Sequence, residues 1–162
     1  MSQAANRTIQ PAPIRHVVTV KAPPARAFAI FAGRTGDWWP KGKTPAKTPH
    51  QTIVIEPRAG GRWFERDEDG GETDWGTVLD YSPPTRLLLG WQMNAQFKFD
   101  PDFLTEVEVT FEPLADGATR VSLEHRNLER FGEAAEKTRA SLDGGWPGFL
   151  KVFADFTDAS DE

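Results

Sequence analysis

Leu104-Thr-Glu-Val-Glu-Val-Thr-Phe-Glu-Pro-Leu114 and Ala118-Thr-Arg-Val-Ser-Leu-Glu-His-Arg126, joined by Ala115-Asp-Gly117, are the stretch on which the fold turns. Thr105, Val107, Val109 and Phe111 fall on one face of the first run, and Glu106, Glu108, Thr110 and Glu112 on the other. The second run repeats this, with Val121, Leu123 and His125 alternating with Arg120, Ser122, Glu124 and Arg126. A period of two with one wet face predicts a β-hairpin in an antiparallel sheet covered on one side only.

Working back from the hairpin, further strand-like runs are predicted at 51–56, 61–66, 72–81 and 86–93, with Asp67-Glu-Asp-Gly-Gly71 and Ser82-Pro-Pro84 as turns. Residues 94–102 read as a loop. At the front, Ile14 to Lys21 is rich in β-branched residues and reads as the first strand. Pro24 suits a helix start, so 25–31 is predicted helical up to Gly33, with a second short helix or turn over Gly36-Asp-Trp-Trp-Pro40. Working forward, 133–142 reads as helix and Asp143-Gly-Gly145 as an interruption. Trp146, Phe149, Leu150, Phe153 and Phe156 then form one apolar helical stripe, near whose start Pro147 is tolerable. A one-sided sheet needs an apolar cover, and that terminal helix is the only element large enough. The fold class is therefore α+β: a curved antiparallel sheet wrapped around a long C-terminal helix, with two short helices after the first strand. Residues 1–13 read as a disordered lead-in, 14–157 as the domain and 158–162 as an acidic tail.

The chain has 162 residues and no cysteine, which excludes disulfides, thiol catalysis and zinc–thiolate sites. No run is apolar enough for a membrane span or a signal-peptide core, and the expected location is cytoplasmic. A net charge of −5 with no basic stripe argues against nucleic acid. Six Trp and eleven Phe stand against one Tyr, and such rings supply both cores and ligand pockets.

Several motifs in order carry a resemblance: Trp38-Trp-Pro40, Pro57-Arg-Ala-Gly-Gly-Arg-Trp63, Gly76-Thr-Val78, Ser82-Pro-Pro-Thr-Arg-Leu87, Trp91, Thr105 to Pro113, Gly117 to Leu123, and Gly145-Trp146. Together they resemble the START-like helix-grip superfamily and, within it, the family named for the C-terminal domain of the heat-shock-protein-90 ATPase activator. The resemblance implies a cavity between sheet and helix. Superfamily relatives include lipid carriers, hormone receptors and polyketide cyclases.

The expected cavity residues are Trp38, Trp39, Trp75, Trp91, Val109, Phe111, Leu123, His125, Trp146, Phe149, Leu150 and Phe153. His125 is the candidate acid/base group, because it continues the inward face of Val121 and Leu123; the alternative is a histidine satisfied by its neighbours. His16, His50 and His125 lack metal-ligand spacing, and no nucleophile elbow occurs, so neither metal, cofactor nor assigned catalytic residue is expected. Acids in the clearest strands alternate outward, which disfavours paired carboxylates. The expected partner is an apolar or aromatic small molecule, with a weak homodimer left open. A cyclase, hydratase or dehydratase in the same cavity and a co-chaperone-like interaction module are the alternatives.

Overall fold

The computed structural model describes residues 11–46 and 48–160; 1–10 of the proposed lead-in and 161–162 of the proposed tail lie outside them, while Asp158 and Ala159 belong to the last helix. The elements are β1 (Ile14–Val20), α1 (Pro24–Gly33), α2 (Thr35–Trp38), β2 (His50–Ile55), β3 (Arg62–Asp67), β4 (Glu72–Ser82), β5 (Arg86–Trp91), β6 (Thr105–Pro113), β7 (Thr119–Arg126) and α3 (Ala135–Ala159). A 3₁₀ segment over Leu128–Ala134 leads into α3. All seven strands form one antiparallel sheet in the order β1-β7-β6-β5-β4-β3-β2.

The β6–β7 ladder pairs Val109 with Leu123 and Phe111 with Val121, all buried, as the alternation demands. Its outer face carries a charge ladder instead, in which Arg126 binds both Glu106 at 2.9 Å and Glu108 at 2.7 Å. Register shifts in β2, β3 and β4 bend the sheet around α3. Gly76 marks the tightest approach: a Cβ there would lie 1.7 Å from the carbonyl oxygen of Gly90 on β5, so only glycine fits.

One expectation needs correcting. Asp143-Gly-Gly145 does not interrupt the terminal helix; α3 runs 25 residues straight through it, Pro147 and Gly148 included. Tertiary packing overrides the roughly 1 kcal/mol per glycine that propensity counts against it. Trp146, Leu150, Phe153 and Thr157 are buried against the sheet, and the Asp143 carboxylate takes Nε2 of His16 on β1 at 2.8 Å. Helix α1 closes one half of the sheet, where Phe28 and Phe31 sit 5.1 and 6.0 Å from Phe111. The other half, towards β2–β5, is where the tryptophans gather.

Candidate functional site

A half-open cleft of about 1010 Å³ lies along the outer flank of α3, between the loop after α2, the Asn94–Phe97 loop and the helix. Its floor is aromatic. Trp39 stacks on Phe149 with ring centroids 4.5 Å apart, and Trp146 meets Trp91 at 5.8 Å and Phe149 at 5.9 Å, both edge-on. The helix presents Thr138, Ser141, Gly145, Gly148 and Val152 to the opening, at spacings of three and four residues, with Ala134 just ahead of it. Apart from Thr138 and Val152, these side chains are small. A Cβ at Gly148 would meet nothing within 4 Å, so the absent side chains are part of what makes the cleft wide. Pockets for small ligands span about 300–1,000 Å³ and are mostly apolar, and this cleft sits at the top of that range.

Of the twelve expected cavity residues, Trp39, Trp91, Trp146 and Phe149 border the cleft. Trp38, Trp75, Val109, Phe111, Leu123, His125, Leu150 and Phe153 are placed behind it, in the buried core. Facing the helix is not the same as facing a void. Phe28, Phe31 and Phe153 fill the space above Phe111, and Trp38 packs on Phe153 at 5.3 Å.

His125 is fully buried with both ring nitrogens engaged: Trp146 Nε1 donates to Nδ1 at 3.2 Å, and Nε2 pairs with Thr105 Oγ1 at 2.8 Å. Because an indole N–H only donates, Nδ1 must carry a lone pair, and the ring is the neutral tautomer whose Nε2–H donates to Thr105. Trp91 and Trp146 stand 5.0 and 6.1 Å away. Burial alone pushes its pKa down to about 3. A histidine that is sequestered, doubly bonded and neutral positions Trp146; it offers no proton to the cleft.

Sequence reading missed a second buried polar group. Glu65 on β3 is an inward acid with no solvent exposure, its Oε1 accepting the Trp75 indole N–H at 2.8 Å. Glu65 Oε2, Trp63 Nε1 and His50 Nδ1 have no hydrogen-bond partner among the described residues. His50, one residue ahead of the strand predicted at 51–56, opens β2 and is buried, with Nε2 donating to the Gly36 carbonyl at 3.0 Å. Burial holds its pKa below the ordinary imidazole range. The signal for Glu65 was present, since period two places it on the face of Trp63. Trp75 in turn lies 5.0 Å from Trp39, so Glu65 supports the cleft floor through two rings. That Lys43, Thr44, Lys137 and Thr138 share one rim gave no sequence signal, because their meeting depends on two segments far apart in the chain. Among the described residues no group of three or more His, Asp or Glu side chains could hold a metal ion, and no helix is long and apolar enough to cross a membrane.

The model of the family described as activator of Hsp90 ATPase homolog 1-like protein matches residues 21–157. The chain belongs to that family. A search of curated proteins found no significant match. Among solved structures of this fold, the anthrahydroquino-γ-pyrone synthase Txn09 is 37% identical over 90% of this chain and 97% of that one, with a TM-score of 0.64. The self-sacrificing resistance protein CalC from Micromonospora echinospora is 36% identical, with a TM-score of 0.69 over 90% and 94% of the two chains. The Aha1 dimer from Colwellia psychrerythraea, at 18% identity and a TM-score of 0.64 over 93% and 99%, shares the fold. The curled sheet and the long helix are the fold that these structures share.

Proposed function

We propose that this activator-homologue family member binds a planar aromatic small molecule in the α3 cleft, as a binding protein and without proton transfer by His125. The observation that carries this is the pairing of an aromatic floor with a helix face pared down at Ser141, Gly145 and Gly148. The floor offers offset and edge-on ring contacts, and the stripped face leaves room for a fused ring system. Txn09 and CalC, both above 35% identity, support a small-molecule role, one being a synthase and the other a resistance protein. A cyclase-type activity in the same cleft is the second reading, favoured by the near full-length similarity to Txn09. An interaction module would call for a broad exposed apolar surface. The exposed large apolar side chains among the described residues are Val17, Phe97 and Val152, and the last two line the cleft itself.

The test is a titration with 1,8-dihydroxyanthraquinone, read by tryptophan fluorescence, since three of the six tryptophans border the cleft. Saturable quenching is expected, and Gly148→Leu, which projects a bulky side chain into the cleft, should weaken it markedly. Quenching that never saturates, or that the Leu variant leaves unchanged, refutes the reading. Chemical conversion of the bound ring compound would move the assignment to the cyclase.

A further inference from the structure

The cleft has a sign of charge that its protein does not. The chain carries a net charge of −5, with 24 acidic residues, yet the residues lining the cleft include Lys43 and Lys137 and not one Asp or Glu. On the sheet, arginines are held by acids. Arg62 holds Glu72 and Asp74, Arg86 holds Asp80 and Glu108, and Arg126 holds Glu106 and Glu108. Lys43 and Lys137 have no carboxylate partner among the described residues. The neighbouring polar groups extend the pattern, because Thr44, Thr138 and Ser141 bring hydroxyl donors to the same rim. The Lys43 backbone is tied to the floor, its carbonyl accepting the Trp39 indole N–H at 3.1 Å. Lys137, Thr138 and Ser141 share one face of α3 over a single turn.

From this we infer that the cleft selects an aromatic ligand bearing an ionised acid group, a ring carboxylate or acidic phenolate, whose ring lies on Trp39 and Phe149 while its oxyanion meets Lys43 and Lys137. The inference rests on the cleft-binding reading above and adds the charge of its ligand. Two ammonium groups beside a low-dielectric aromatic surface attract an anion more strongly than the same groups in open water. They also discriminate against a cationic or neutral ring of equal size, and the absence of carboxylates means that an anion meets no opposing charge.

The experiment compares 9,10-anthraquinone-2-carboxylate with its uncharged primary amide by calorimetric or fluorescence titration, on wild type and on the Lys43→Gln/Lys137→Gln double variant. The carboxylate should bind wild type about tenfold or more tighter than the amide, as one or two charge-assisted hydrogen bonds imply. Added salt should shrink that margin. The double variant should erase it while keeping the amide affinity and the melting temperature, both lysines being exposed. Equal affinity of the two compounds for wild type, or a margin that survives the double variant, overturns the charge inference and leaves ring binding intact. Dodecanoate binding as tightly as the aromatic acid overturns its aromatic half. Failure of both ring compounds to bind sinks the cleft reading and this inference together.

Discussion

The chemistry of single residues is decided by what surrounds them. His125 is held neutral, with its pKa lowered to about 3, while the unfolded chain protonates it near the ordinary value of about 6.5. The folded state therefore binds fewer protons than the unfolded one between those values. The stability it contributes is complete above pH 6.5 and is lost as pH falls towards 3. Each pH unit in that window costs up to about 1.4 kcal/mol, so roughly 2 kcal/mol should go between pH 6.5 and 5. Burial shifts His50 the same way and adds to the slope. The depressed carboxylates Glu72, Asp80 and Glu108 act at lower pH, where they begin to protonate. Urea unfolding of wild type and His125→Gln at both pH values should show a flatter dependence in the variant. Parallel slopes would mean that His125 is not the titrating group. For Glu65 the comparison is between two substitutions. Glu65→Leu strips the Trp75 N–H of its acceptor and should cost about 1–3 kcal/mol. Glu65→Gln keeps an acceptor oxygen for the Trp75 N–H, so it should cost distinctly less in the same denaturation assay. If both variants lose the same stability, the bond to Trp75 is not what Glu65 contributes.

At the scale of elements, α3 shows a helix that has given up propensity for space. Gly144, Gly145, Pro147 and Gly148 are poor helix residues by about 1 kcal/mol or more each relative to alanine. Gly144 lies off the cleft, and a Cβ there would meet nothing within 4 Å, so Gly144→Ala should stabilise by about 0.5–1 kcal/mol and leave binding alone. Gly148→Leu should be tolerated or mildly stabilising in a thermal melt, yet occlude the cleft. The two variants separate helix propensity from site volume. Stability lost on Gly148→Leu would show that the glycine serves packing. The strands present the opposite case, because alternation predicted β6 and β7 residue by residue. The glycine run misled for a physical reason: local propensity differences of this size are outweighed by burying Trp146, Leu150 and Phe153 on one continuous helix.

For the whole molecule, a ligand held between α3 and two loops couples binding to folding. Any compound that binds only the folded chain stabilises it by mass action, about 2.7 kcal/mol at a hundredfold excess over Kd. For a domain of this size that is a rise of roughly 5–10 °C in Tm. Differential scanning fluorimetry with the anthraquinone carboxylate should show such a rise in wild type and little in Gly148→Leu. An equal rise in both would place the ligand elsewhere on the surface. The charge contrast between an acidic protein and a cationic cleft also belongs to this scale, since it arises only when Lys43 and Lys137, 94 positions apart by their numbering, meet at one opening.

Period two and period 3.6 are local properties of a chain, and they were enough to determine by themselves the hairpin from Leu104 to Arg126, the succession of strands along the chain and the apolar stripe of the last helix. The ordered motifs from Trp38 to Trp146 likewise pointed to the family and so to the grip of sheet on helix. What only the tertiary structure decided was which inward residues border space and which fill it. Val109, Phe111, Leu123 and Leu150 face inward as surely as Trp91 and Phe149, but α1 and Phe153 close over that half of the sheet. Tertiary contacts also turned His125 from a candidate acid/base group into a buried brace for Trp146, and brought Glu65 beneath the cleft floor. A void is the difference between volumes supplied by distant segments, and no periodicity within one segment records it.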